Sequence, residues 1–267
     1  MNASIPWTVV RIKATKGHEK IACVTAYDYA TARLVDEAGL PLMLVGDSLG
    51  MTVLGYANTL PVTMRDILHH TGAVARGVKN ALVVADMPFM SYQVSVPLAL
   101  ANAGRLIKAG AKAVKIEGGE LRVPTVRALV ENGIPVLGHI GLEPQSIQTM
   151  GGFKVQGRTP EAATGLLRDA RALEAAGVFA LVLEGIPAAL AGEITAAVGV
   201  PTIGIGAGPQ CDGQILVLHD MLGLIPGARQ PKFVKRYAEL GTMAQTALAH
   251  YKQDVEQGRF PGPEQCY

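Results

Sequence analysis

"AVKIEGGE", Ala113 to Glu120, sets a lysine and a glutamate two positions apart in an otherwise strand-like run that ends in two glycines. Successive side chains of a strand face opposite sides, so Lys115 and Glu117 share one face while Val114 and Ile116 cover the other. A strand buried on both faces has no water to receive such a pair. What the pair means therefore depends on whether neighbouring strands carry similar residues.

Short apolar runs of the same kind recur along the chain, each followed by an Ala/Leu-rich stretch with helical periodicity. The strand candidates are Ile21 to Thr25, Leu42 to Asp47, Leu82 to Asp86, Ala113 to Glu117, Ile134 to His139, Phe179 to Glu184, Pro201 to Ile205 and Gln214 to His219. Helices are expected over Tyr29 to Ala38, Met64 to Val78, Pro97 to Ala109, Val123 to Asn132, Pro160 to Ala176, Pro187 to Val198 and from Lys232 onward. A short helix around Val9 to Ala14 is expected to cover the barrel bottom. Strands that stay apolar until their last residue imply a parallel sheet covered on both faces. Eight βα units in 267 residues predict a single α/β domain over 1–267, a (β/α)8 TIM-type barrel with its active site at the C-terminal ends of the strands. A doubly wound sheet also alternates, but its dinucleotide form needs an early G-x-G-x-x-G, whereas "GIGAG" at Gly204 to Gly208 is late and differently spaced.

Composition narrows the function classes. Charged residues are 17% and hydrophobic ones 49% of the chain, which points to a large core and a subunit interface. With a net charge of +2 and no basic run with interleaved aromatics, nucleic acid is not an expected partner. The two longest uncharged windows are broken by prolines and polar residues, so no membrane association is expected. Three distant cysteines without a C-x-x-C pair, and an N-terminus without a secretory pattern, fit a reducing cytoplasm.

The ends of the second to sixth strand candidates read Asp47, Asp86, Glu117, His139 and Glu184. One such residue alone is better explained as part of a buried salt bridge or a loop cap. Five in consecutive strands of a parallel barrel converge on one pocket, and burying several carboxylates without a cation costs several kcal/mol per ion. Asp47, Asp86 and Glu117 offer only oxygen ligands, which suits Mg2+. Lys115 can offset negative charge that develops in the pocket. Glu184, across the pocket, is free to act as general base, with His139 as an alternative or as an auxiliary that orients a ligand. Ser48 can hold a substrate carboxylate or serve a plain turn. Gly204 to Gly208 fits either a phosphate loop or close packing, with packing preferred, and His69, His70 and His219 read as surface or core residues. The loop Thr149 to Arg158, "TMGGFKVQGR", has the glycines and cations of a lid or of an interface loop.

The motifs "TAYDY" (Thr25 to Tyr29), "LVGDSLGM" (Leu44 to Met51), "TLPVT" (Thr59 to Thr63), "ADMPFM" (Ala85 to Met90), "VKIEGG" (Val114 to Gly119), "GHIGL" (Gly138 to Leu142), "GGFKVQGR" (Gly151 to Arg158), "IGIGAG" (Ile203 to Gly208) and "DGQILVLHD" (Asp212 to Asp220) follow one another in an order that resembles the ketopantoate hydroxymethyltransferase family. The resemblance implies transfer of a hydroxymethyl group from 5,10-methylenetetrahydrofolate to 3-methyl-2-oxobutanoate, through a Mg2+-stabilised enolate, to give 2-dehydropantoate for pantothenate synthesis. It implies metal contacts from Asp47, Asp86 and Glu117, substrate contacts from Asp47, Ser48, Asp86 and Lys115, and Glu184 as base. It also implies a homo-oligomer, a decamer. A Mg2+-dependent enolate enzyme of the phosphoenolpyruvate mutase or isocitrate lyase type is the alternative, although no lyase-type cysteine motif is present.

Overall fold

The structure is a computed structural model and describes residues 5–228 and 230–267. Eight parallel strands close into a barrel: β1 Ile21–Thr25, β2 Leu42–Val45, β3 Leu82–Asp86, β4 Ala113–Glu117, β5 Val136–Gly141, β6 Ala180–Glu184, β7 Thr202–Ile205 and β8 Gly213–Leu216. Each strand pairs with the next, and β8 returns to β1 through Ile21 opposite Gly213 and Cys23 opposite Ile215. Several of the helices between strands begin at side-chain caps: Thr63 before Met64–Gly77, Ser95 before Val96–Lys108 and Thr159 before Pro160–Ala176.

The interior is layered along the strands. Leu82 and Val84 of β3, Ala113 of β4, Leu137 of β5, and Ala180 and Val182 of β6 all belong to the barrel core. Strand side chains two positions apart share a face, so the next inward positions on these strands are Asp86, Lys115 and Glu117, His139, and Glu184. The inner face is thus apolar below and ionisable above. Ile12, fully buried on the helix Val9–Ala14, packs into the same core with Trp7 and Val9 against it, and closes the bottom.

Asp212, just before β8, ties this lower end together. Its carboxylate accepts from Thr202 N (2.8 Å) and Gly17 N (3.2 Å) and pairs with Lys16 Nζ at 2.9 Å. Burial alone would raise this carboxyl, but Lys16 and the backbone N–H groups outweigh it and hold it below the ordinary carboxylate range. A carboxylate depressed in the folded chain contributes stability above its unfolded pKa of ~3.9 and loses it as pH falls through the lower folded value. Asp212→Asn is expected to cost ~2–3 kcal/mol at neutral pH, with the difference shrinking below pH ~4. Urea titrations that give the same cost in both ranges would contradict the ion-pair account.

Several boundaries differ from the sequence reading. β2 stops at Val45, because Gly46 to Ser48 turn directly into the short helix Leu49–Thr52, with Leu49 N bonded to Gly46 O (3.1 Å). β5 begins at Val136, after Pro135, and runs past His139 to Gly141. β8 ends at Leu216 and His219 lies on the helix Leu218–Met221. The long C-terminal helix begins at Leu240, not Lys232, because Tyr237 N and Leu240 N bond to the carbonyls of Met221 and Leu222 instead of to a preceding turn. The chain divides after Val217 into two compact units, with all eight strands in the first.

Candidate active site

Register decides which ionisable groups meet. Asp86 is the partner of Lys115 across β3 and β4, and Glu117 is the partner of His139 across β4 and β5. Inward-facing partners on adjacent strands stand ~5 Å apart, so their side chains touch. Lys115 Nζ lies 2.8 Å from Asp86 Oδ1, 3.1 Å from Glu117 Oε1 and 3.3 Å from His139 Nδ1. His139 Nδ1 is 3.4 Å from Glu117 Oε1, and its Nε2 is 3.2 Å from Glu184 Oε2. Asp47 lies beyond the end of β2, where its backbone N–H donates to Asp86 Oδ2 (3.1 Å). Every sequence-predicted site residue therefore stands at the C-terminal end of the barrel, and Asp86, Lys115, Glu117, His139 and Glu184 form one connected array.

Gly141, at the end of β5, lets the array close. Its φ of +101° is open to glycine, and a Cβ there would collide with the Glu184 carbonyl, which accepts from Leu142 N (2.8 Å). Gly141→Ala is expected to destabilise the fold by more than ~1 kcal/mol and to displace Glu184. An unchanged melting temperature together with unchanged activity would show that the close approach is dispensable.

The electrostatics call for positive charge. Burial, then the charges of Asp86 and Glu117, hold the Asp47 carboxyl well above the ordinary range, and burial likewise raises Asp86. Burial would raise Glu117 as well, but Lys115, His139 and the Gln145 N–H outweigh it and bring it to about 2. Burial would lower Lys115, yet Asp86, Glu117 and Asp47 raise it well above its usual value, so it remains an ammonium. Oxygens of Asp47, Asp86 and Glu117 come within 4.8 Å of one another, and Asp86 Oδ1 receives no well-directed hydrogen bond despite its nearness to Lys115. Burial and Lys115 would lower His139, but Glu117 and Glu184 outweigh them and raise it to about 10, so it serves Glu117 as a second cation. Asp47 and Asp86, still raised by burial beside the Lys115 ammonium, fit with Glu117 a hard divalent cation.

Three further residues belong to the site and carry no strand-end signal. Tyr27, buried just after β1, shares a 2.8 Å hydrogen bond between its hydroxyl and Ser48 Oγ, while His70 Nδ1 meets the Tyr27 carbonyl at 2.6 Å. Ser48 thus both starts the helix Leu49–Thr52 and points a held hydroxyl. Gln145, on the loop after β5, reaches the Asp47 and Glu117 carboxylates, and the Tyr92 hydroxyl, from the loop after β3, meets Gln145 Oε1 and the backbone N–H of Glu117. Position relative to the sequence motif was the available signal for Tyr27, since it lies in "TAYDY"; the other two come together only through the fold.

The remaining motifs take other parts. Gly204 is within β7, where a Cβ would stand 3.0 Å from Cys211 Sγ, so packing accounts for it. His69 is exposed and His219 is half-buried. The segment after the helix Ile147–Met150 has no regular structure through Arg158, and Gln156 N donates to Gly185 O (2.9 Å), beside Glu184. No helix among the described residues is long and apolar enough to cross a membrane.

A family model described as ketopantoate hydroxymethyltransferase matches residues 6–263. The 3-methyl-2-oxobutanoate hydroxymethyltransferase of Syntrophobacter fumaroxidans is 58% identical over 258 residues, covering 96% of this chain and 91% of its own length. Among solved structures, 2,3-dimethylmalate lyase, a PEP mutase/isocitrate lyase superfamily member, superposes with a TM-score of 0.59 at 18% identity, over 95% of this chain and 87% of that one. Phosphonopyruvate hydrolase in complex with oxalate and Mg++ gives a TM-score of 0.59 at 14% identity, over 97% of this chain and 93% of that one. At such identities the two structures share the fold with this chain.

Proposed function

The chain belongs to the ketopantoate hydroxymethyltransferase family, and on that premise we propose how its residues carry a hydroxymethyl group from 5,10-methylenetetrahydrofolate onto 3-methyl-2-oxobutanoate to give 2-dehydropantoate. It is an enzyme, a hydroxymethyltransferase. The observation that carries the mechanism is a division of labour among the buried acids. Asp47, Asp86 and Glu117 converge, whereas Glu184 stands apart on β6 with its side chain 16% exposed, against 1% for Asp86 and Glu117.

Asp47, Asp86 and Glu117 would hold Mg2+. Bound there, the cation supplies Lewis-acid polarisation of a keto oxygen. The Ser48 hydroxyl, fixed by Tyr27, and the charge of Lys115 hold the substrate carboxylate and offset the negative charge that develops when C3 loses its proton. Glu184 removes that proton, and His139 Nε2, 3.2 Å from Glu184 Oε2 without a well-directed hydrogen bond, faces the carboxylate as a charge. The methylene carbon of the folate loses both of its bonds to nitrogen, gaining in their place a bond to C3, formed by the electron pair left there, and a bond to a water oxygen. The C3 proton and one proton of that water end on the two nitrogens of tetrahydrofolate. One water enters overall and supplies the hydroxyl oxygen.

Incubation with both substrates and Mg2+, followed by mass spectrometry, is expected to yield 2-dehydropantoate and tetrahydrofolate; a product set lacking 2-dehydropantoate would contradict the assignment. The same reading takes residues 1–267 as one domain and the working form as a decameric homo-oligomer in the cytoplasm. A single calorimetric transition and a light-scattering mass of ten chains are the expected results, and two separate transitions or a monomer would contradict them.

A further inference from the structure

Gln145 sits on the loop after β5, is 4% exposed, and touches two of the three carboxylates proposed to hold the cation. Its side-chain Nε2 donates to Asp47 Oδ2 (3.1 Å) and to the Met87 carbonyl (2.9 Å). Its Oε1 accepts from the Tyr92 hydroxyl (2.9 Å) and from Gln93 Nε2 (3.2 Å). Its backbone N–H donates to Glu117 Oε2 (3.0 Å). The amide has one sensible orientation, because a flip would set its carbonyl oxygen against a carboxylate and a carbonyl. Both of its donors and both acceptor sites are used, and Tyr92 is itself anchored by accepting from Glu117 N (3.2 Å).

We infer that Gln145 is a positioning residue for the cation site, with Tyr92 as its brace. The amide fixes the rotamer of Asp47 through Oδ2, while the backbone N–H fixes Glu117 through Oε2. Groups bonded to a metal's ligands orient them, and their loss lowers metal affinity by ~10–100-fold. The inference rests on the cation reading of Asp47, Asp86 and Glu117. A site so held keeps its geometry before the cation arrives.

Mn2+ titrations followed by electron paramagnetic resonance test it on the wild-type chain, Gln145→Met and Tyr92→Phe, with melting temperatures taken in EDTA. Gln145→Met keeps the volume and removes every polar atom of the amide, and is expected to weaken Mn2+ binding ~10-fold or more. Tyr92→Phe is expected to weaken it in the same direction by less. A merely structural role would lower the melting temperature and leave the affinity of the folded protein unchanged, and that result overturns the inference. Should Gln145→Met fail to fold, unchanged affinity in Tyr92→Phe overturns it equally. A wild-type chain that binds no Mn2+ overturns the cation reading and the inference with it.

Discussion

Glu184→Gln is expected to lose exchange of the C3 proton of 3-methyl-2-oxobutanoate by ~10²–10⁴-fold while binding Mg2+ and substrate as the wild type does. The amide is the same size as the carboxylate and can still meet His139, but it cannot accept the proton. Glu184 is not among the residues that converge on the cation, so metal affinity is expected to be spared. Near-normal exchange in the variant would move the base to His139 or to a water molecule.

Asp86→Asn acts on the other half of the site. Asp86 is an anionic ligand, a partner of Lys115 at 2.8 Å and the acceptor for Asp47 N, so its loss removes charge and disturbs a second ligand together. Loss of a ligand is expected to exceed the ~10–100-fold effect of losing a group behind one, so Mg2+ affinity is expected to fall by more than ~100-fold in calorimetry. Unchanged affinity would remove Asp86 from the cation site. The two variants separate base from ligand: Glu184→Gln is expected to lose exchange with metal affinity spared, whereas Asp86→Asn is expected to lose metal affinity and, with it, the Mg2+-dependent exchange.

The strand-end carboxylates were legible because a barrel strand is apolar up to its mouth, and each departure from that run is conspicuous. β1, β3 and β4 have the limits expected from sequence, including the Lys115 and Glu117 pair that set the inner face. Asp47 and His139 were found without their exact settings. The turn at Gly46 and the extension of β5 to Gly141 depend on backbone conformations that side-chain alternation does not report. Gln145 was not legible. It lies 98 positions from Asp47 in a loop with no periodicity, and only closure of the barrel brings them together. The C-terminal helix started late for a similar reason, since Tyr237 N and Leu240 N bond to a turn more than ten residues upstream.

The most direct test of the central claim, that this barrel removes the C3 proton of 3-methyl-2-oxobutanoate with Glu184 beside a cation held by Asp47, Asp86 and Glu117, is NMR-detected exchange of that proton in D2O. Exchange is expected with Mg2+, is expected to stop with EDTA, and is expected to give way to 2-dehydropantoate when methylenetetrahydrofolate is added. Exchange that persists unchanged in EDTA, or no exchange under any of these conditions, would contradict the account.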